Sequence, residues 1–138
     1  MPEPPPTAAA GRSAPLPRGG VPRGAWAEAL ALAHLEARGA RLVARNVRLA
    51  GGELDLVVLD GGVLAVVEVK GRGPRRRVTG REAVSPAKQA RLRRTAVAWL
   101  VRQGHDPDRV RLRFDVVEVT RDAAGDAVTW LRDAFGGA

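Results

Sequence analysis

The sequence contains no cysteine. That removes disulfide frameworks and thiolate metal sites and gives no sign of an oxidising compartment, so a cytoplasmic location is expected. Long hydrophobic runs are also missing. The apolar stretches are strand-sized, such as Leu54 to Leu59, far below the roughly 18 residues of a membrane span. Pro4, Pro5 and Pro6 stand where a signal peptide needs an apolar helical region, so neither a secretion signal nor a membrane partner is expected. There is no Walker-type glycine loop and no nucleophile elbow; Gly71-Arg72-Gly73-Pro74 is too short a fragment to supply one. His34 and His105 lack a second His or Cys at ligand spacing and are given no role. Acidic residues are outnumbered, 15 against 23 Lys and Arg, for a net charge of +8. Such an excess favours a polyanionic partner, because clustered arginines release condensed counterions when they bind phosphates. Nucleic acid is the first candidate, with an Arg-rich surface that binds nothing as the alternative.

With 138 residues and 45% hydrophobic content, the chain can bury one core but hardly two. Residues 1 to 22 are rich in Pro, Ala and Gly, have no hydrophobic period and read as a disordered tail; residues 23–138 read as a single domain. Good helix formers run from Gly24 to Arg38 and stop at Gly39. Arg41 to Arg48 reads as a strand, followed by a Gly51-Gly52 turn. Leu54–Leu59 and Val63–Val69 are apolar runs joined through Asp60-Gly61-Gly62, a strong hairpin signal. Gly71 to Arg81 should be a mobile basic loop. Ser85-Pro86 supplies an N-cap and a first-turn proline for a second helix that ends near Gln103. Arg111 to Thr120 suits a buried strand, and Val128 to Leu131 a short edge strand. The fold class is therefore α/β, and because both faces of the hairpin are largely apolar, its sheet should be covered on both sides.

A two-residue Gly61-Gly62 loop pairs Asp60 with Val63, and the antiparallel register then brings Asp55 opposite Glu68 and Glu53 opposite Lys70. Two carboxylates so placed repel each other unless a cation lies between them. A hard divalent ion such as magnesium meets that need. The competing interpretation is a solvated hairpin end with a single salt bridge. Composition favours the site: Lys occurs only at positions 70 and 88 in a chain that otherwise uses Arg, so a compact ammonium with a tunable pKa is what the position beside the carboxylates calls for.

Glu28 shares a helical stripe with Leu32 and Leu35 and is either a third carboxylate for the site or a Glu at the edge of an Ala-rich helix. On the second helix Lys88, Arg91, Arg94 and Arg102 form a basic stripe beside Leu92, Ala96, Trp99 and Leu100. With Arg72, Arg75, Arg76 and Arg77 of the preceding loop, this stripe could hold phosphates on either side of the metal.

The segments Gly24-Ala25-Trp26-Ala27-Glu28, Arg45-Asn46, Gly52-Glu53-Leu54-Asp55-Leu56-Val57, Val67-Glu68-Val69-Lys70, Lys88, Arg113-Phe114-Asp115-Val116-Val117 and Trp130-Leu131-Arg132-Asp133-Ala134-Phe135 resemble, in order and spacing, the YraN family of small bacterial proteins. The resemblance covers about Gly24 to Phe135. It implies a restriction-endonuclease-like core of the PD-(D/E)xK kind, similar to Holliday-junction resolvases, with a mixed central sheet and helices on both faces. It further implies a nuclease that cleaves DNA with Mg2+ or Mn2+, in which Asp55, Glu68 and Glu28 hold the metal and Lys70 completes the catalytic set. By analogy with resolvases it raises a homodimer. A non-catalytic nucleic-acid-binding module on the same fold is the alternative.

Overall fold

The computed structural model describes residues 23–72 and 84–135. The expected tail and most of the expected basic loop lie outside the described residues. The elements are α1 (Arg23–Ala37), β1 (Arg41–Leu49), β2 (Gly52–Asp60), β3 (Val63–Arg72), α2 (Pro86–Arg102), a 3-10 turn (Pro107–Arg109), β4 (Leu112–Asp122) and β5 (Gly125–Leu131). They form a five-stranded mixed sheet in the order β1-β2-β3-β4-β5, antiparallel except where β3 runs parallel to β4. α2 lies within the crossover between those parallel strands, as a parallel pair requires.

Both faces are covered, as the two-sided apolar pattern predicts. Ala27, Ala31 and Leu35 of α1 recur one turn apart and pack on Leu56, Val58, Ala65, Val67, Val117 and Val119. On the opposite face Leu92, Ala96, Trp99 and Leu100 of α2 pack on Val57, Leu64, Val66, Phe114 and Val116. Arg93, which interrupts the apolar stripe in sequence, lies over the rings of Phe114 and Phe135, a placement that shields its stem while the guanidinium meets two π-faces.

Local chemistry fixes the ends. Ser85 caps α2 by accepting from the Lys88 backbone N–H at 3.2 Å, with Pro86 in the first turn. The hairpin turns through Gly61 at φ 62°, and Asp60 pairs with Val63 in the expected register. β1 carries a bulge near Val43 and a left-handed Asn46 at φ 52°, a conformation that Asn tolerates better than most side chains. Among the described residues no helix is long and apolar enough to cross a membrane.

Candidate active site

The hairpin register holds from Asp60–Val63 to Leu56–Val67, and there the regular ladder ends. The next residue, Asp55, turns a carboxylate oxygen rather than its backbone toward β3 and accepts the Val69 N–H at Oδ2, 2.9 Å away. Past this point, among the described residues, β2 keeps backbone pairing only with β1, and strict side-chain alternation is lost: Leu54 joins Val57 in the α2-side core. Glu68 follows Leu64 and Val66 onto the α2 face and is 5% exposed. Its Oε1 receives two ammonium groups, Lys70 Nζ at 3.3 Å and Lys88 Nζ from the first turn of α2. α2 can come this close because residue 52 is glycine: a Cβ there would run into Thr95 Oγ1 and press on the Arg91 stem.

These charges are poorly balanced. Burial, then the Glu68 charge, pushes the Asp55 carboxyl up to about 7; the Val69 N–H and Lys88 oppose the rise and Glu28 adds to it. Glu28 is also raised, first by burial, with Arg45 opposing and Glu53 and Glu68 reinforcing. Lys70 is lowered, mainly by burial and further by Lys88, against the pull of Glu68. Burial also works against the Lys88 ammonium, yet its hydrogen bond and ion pair with Glu68 prevail and raise it. Two carboxylates and two lysines thus share a small volume in which Asp55 ionises only at a cost.

Asp55 lies between two hollows. A groove of about 660 Å³ on the α2 side is lined by Arg48, Glu53, Asp55, Glu68, Lys88 and Arg91, among others. A recess of about 210 Å³ is lined by Gly24, Ala27, Glu28, Asp55, Val69 and Gly71. Glu28 sits at the edge of the buried α1 line, within electrostatic range of both other carboxylates. Among the described residues, however, no group of three or more His, Cys, Asp or Glu is disposed to hold a metal ion. Lys88 is drawn to Glu68 rather than standing free in the basic stripe; Arg91 lines the groove, and Arg94 and Arg102 are exposed. Arg72 ends β3, but its side chain, with Arg75, Arg76 and Arg77, lies outside the described residues. Glu53 leans toward Arg48 on β1 at 3.9 Å instead of facing Lys70, since the β2–β3 ladder has already ended.

Three contributors escaped the sequence reading. Arg48 lines the groove; a Gly51-Gly52 turn would have set it opposite Asp55, whereas the chain turns at Ala50-Gly51, both at positive φ, and Arg48 pairs with Glu53. Arg45 is the cation that opposes the rise at Glu28. Gly52 sets the approach of α2; the sequence places it in a Gly51-Gly52 turn and within the matched Gly52–Val57 segment, but it opens β2 opposite Leu49, and neither expectation points to the helix above it.

A second acidic cluster lies toward the turn end of the hairpin. Asp115, fully buried, accepts from Arg113 Nε and Nη2 at 2.8 Å, Trp130 Nε1 at 2.9 Å and the Asp133 backbone N–H at 2.9 Å. Arg113 and Arg132 also reach Asp60, at 2.8 and 3.2 Å. This network ties the C-terminal segment to the sheet.

Comparisons with other proteins agree on kinship. A UPF0102 protein of Bordetella avium is 49% identical over 113 residues, 82% of this chain and 74% of that protein. One from Symbiobacterium thermophilum is 53% identical over 92 residues, 67% of this chain and 76% of the relative. The UPF0102 protein YraN of Salmonella arizonae is 42% identical over 111 residues, covering 80% and 81%. Among solved structures, Pyrococcus furiosus SfsA in complex with Ca2+ superposes only loosely, with a TM-score of 0.36 and 15% identity over 80% of this chain and 62% of that one. The pattern of "Uncharacterised protein family UPF0102" matches residues 27–119, from α1 through Glu28, Asp55, Glu68, Lys70 and Lys88 into β4, and the chain belongs to that family.

Proposed function

We propose that the protein is a metal-dependent phosphodiesterase that cleaves nucleic acid, DNA in the first instance, on a restriction-endonuclease-like PD-(D/E)xK core. The observation that carries this reading is the convergence of Asp55 and Glu68 at the open end of the β2–β3 ladder, with Asp55 left short of compensating charge. The donor set fits a hard ion. Magnesium takes one or two carboxylates and keeps several waters, so a pair of carboxylates with a third nearby suffices without an all-protein cage. Asp55 and Glu68 would hold magnesium or manganese, and Glu28 would bind through water. Such an ion supplies a Lewis acid for the phosphate and a water of lowered pKa.

The chain's own groups account for the rest. Lys70, partly buried and with its pKa lowered, orients the attacking water and stabilises the charge that grows on the phosphate. Arg48 and Arg91 line the same groove as the two carboxylates and would hold the phosphate backbone there, where such contacts position a strand without reading its sequence. Purified protein should cleave linear, flapped or branched DNA with Mg2+ or Mn2+ and not with chelator, and Lys70→Met should lose cleavage while still binding DNA. Inactivity across these substrates and metals would overturn the reading.

One observation favours a non-catalytic alternative. Glu68 is already paired with two ammonium groups, which would balance it permanently in a module that only binds nucleic acid. Salt-sensitive DNA binding that is indifferent to chelator and to Asp55→Ala would decide for that alternative.

A further inference from the structure

Lys88 has no partner role in a simple two-carboxylate, one-lysine site, yet it makes an ion pair with the most buried carboxylate there. We propose that Lys88 is a built-in counter-ion that a divalent cation displaces from Glu68, and that the displaced ammonium then holds the nucleic-acid backbone, so that cation and polyanion bind cooperatively. This inference rests on the metal reading above and adds a coupling that the reading does not require.

Three features carry it. Lys70 and Lys88 converge on the same oxygen, Glu68 Oε1. A divalent cation reaching that oxygen would meet two positive charges at close range, and at least one must yield. The two are not equally free. Lys70 sits on β3, whose backbone is locked to β4 at Glu118, and its side chain is 22% exposed. Lys88 projects from the N-terminal turn of α2 with its side chain 36% exposed, and it lines the same groove as Arg91 and Arg48. Its flexible four-carbon stem lets the ammonium swing from the acidic floor to the groove wall. Displacement therefore converts an internal ion pair into a third cation lining a groove that already carries two arginines. The coupling must be reciprocal: whatever factor the cation adds to nucleic-acid affinity, the nucleic acid adds to cation affinity.

The test is calorimetric titration of Mn2+ and Mg2+ into the full chain as wild type, Lys88→Met and Lys88→Gln, with and without a short DNA duplex. Folding is checked by thermal melting, and Glu68→Gln serves as the site control. Without DNA, both Lys88 variants should bind the cation about tenfold more tightly than wild type. DNA should tighten cation binding in wild type by the same factor that cation tightens DNA binding, and that mutual enhancement should vanish in both variants. If wild type binds the cation and the Lys88 variants bind it equally or more weakly, the counter-ion role is overturned while the metal reading stands. Mutual enhancement that survives in the variants overturns the transfer of Lys88 to the backbone. If no form binds a divalent cation, the metal reading itself fails and this inference falls with it.

Discussion

Asp115 and Asp55 are both carboxylates on the inner strands of one sheet, and they live under opposite conditions. Asp115 is sealed from solvent and receives four hydrogen bonds, two from a bidentate guanidinium, one from an indole and one from the backbone. Among the described residues Asp55 receives one, from Val69, and lies within electrostatic range of Glu68 and Glu28. A fully satisfied buried carboxylate specifies structure, because every lone pair is spoken for and no ligand could enter without breaking a bond. An under-satisfied one beside a groove has capacity to spare, and pKa values perturbed by burial and like charge cluster at functional sites. The contrast separates two motifs that look alike in sequence: Arg113-Phe114-Asp115 holds the fold together, and Asp55 with Val67-Glu68-Val69-Lys70 forms the candidate site.

The largest effect expected from this contrast is at the satisfied end. Asp115→Ala leaves the Arg113 guanidinium without its main partner and should cost about 3–5 kcal/mol in urea denaturation; a loss of under 1 kcal/mol would remove the distinction. Asp55→Asn should act in the opposite sense. The folded Asp55 pKa of about 7 lies above the ordinary 3.8, so its contribution is fully present below about pH 4 and is lost as pH rises to about 7. Metal-free Asp55→Asn should therefore be more stable than wild type at pH 8, on the order of 2–3 kcal/mol, and lack that part of the pH slope. Asp60, whose pKa is lowered first by its hydrogen bond to Arg113, should show the reverse in the same denaturation series: its stabilisation is present above the ordinary carboxylate range and is lost as acid protonates it.

A smaller effect separates geometry from charge. Gly52→Ala sets a methyl against Thr95 and should cost about 1–3 kcal/mol by overpacking. It should also reduce cleavage more than the stability loss explains, because α2 carries Lys88 and Arg91. The smallest change in stability belongs to Arg48→Ala, where an exposed pair with Glu53 is worth at most about 0.5 kcal/mol. There the readout is DNA affinity, whose dependence on salt should fall by about one phosphate contact.

Much of this was legible in the chain itself. The Asp60-Gly61-Gly62-Val63 turn dictated the hairpin register, and the two-sided apolar pattern called for helices on both faces. Ser85-Pro86 marked the start of α2 because its capping chemistry is local. What could not be read depends on distant residues. The ladder stops at Leu56 because Asp55 substitutes a side-chain oxygen for backbone pairing, and nothing in the alternation of β2 signals that. Lys88 looked like one member of a basic stripe, since a helical wheel gives direction but not the neighbouring strand. The Asp115 network needed Trp130 and Asp133, fifteen or more positions away, and the role of Gly52 required knowing where α2 crosses. Local propensity and periodicity thus yielded the elements and their faces, whereas the balance of charge at the site is a tertiary property.

The most direct trial of the central claim is calorimetric titration of Mn2+ into wild type, Asp55→Asn, Glu68→Ala and, from the opposite end of the hairpin, Asp60→Asn. The account predicts cation binding in wild type and Asp60→Asn and its loss in folded Asp55→Asn and Glu68→Ala. Binding that persists in the latter two, or that is absent from wild type, would contradict it.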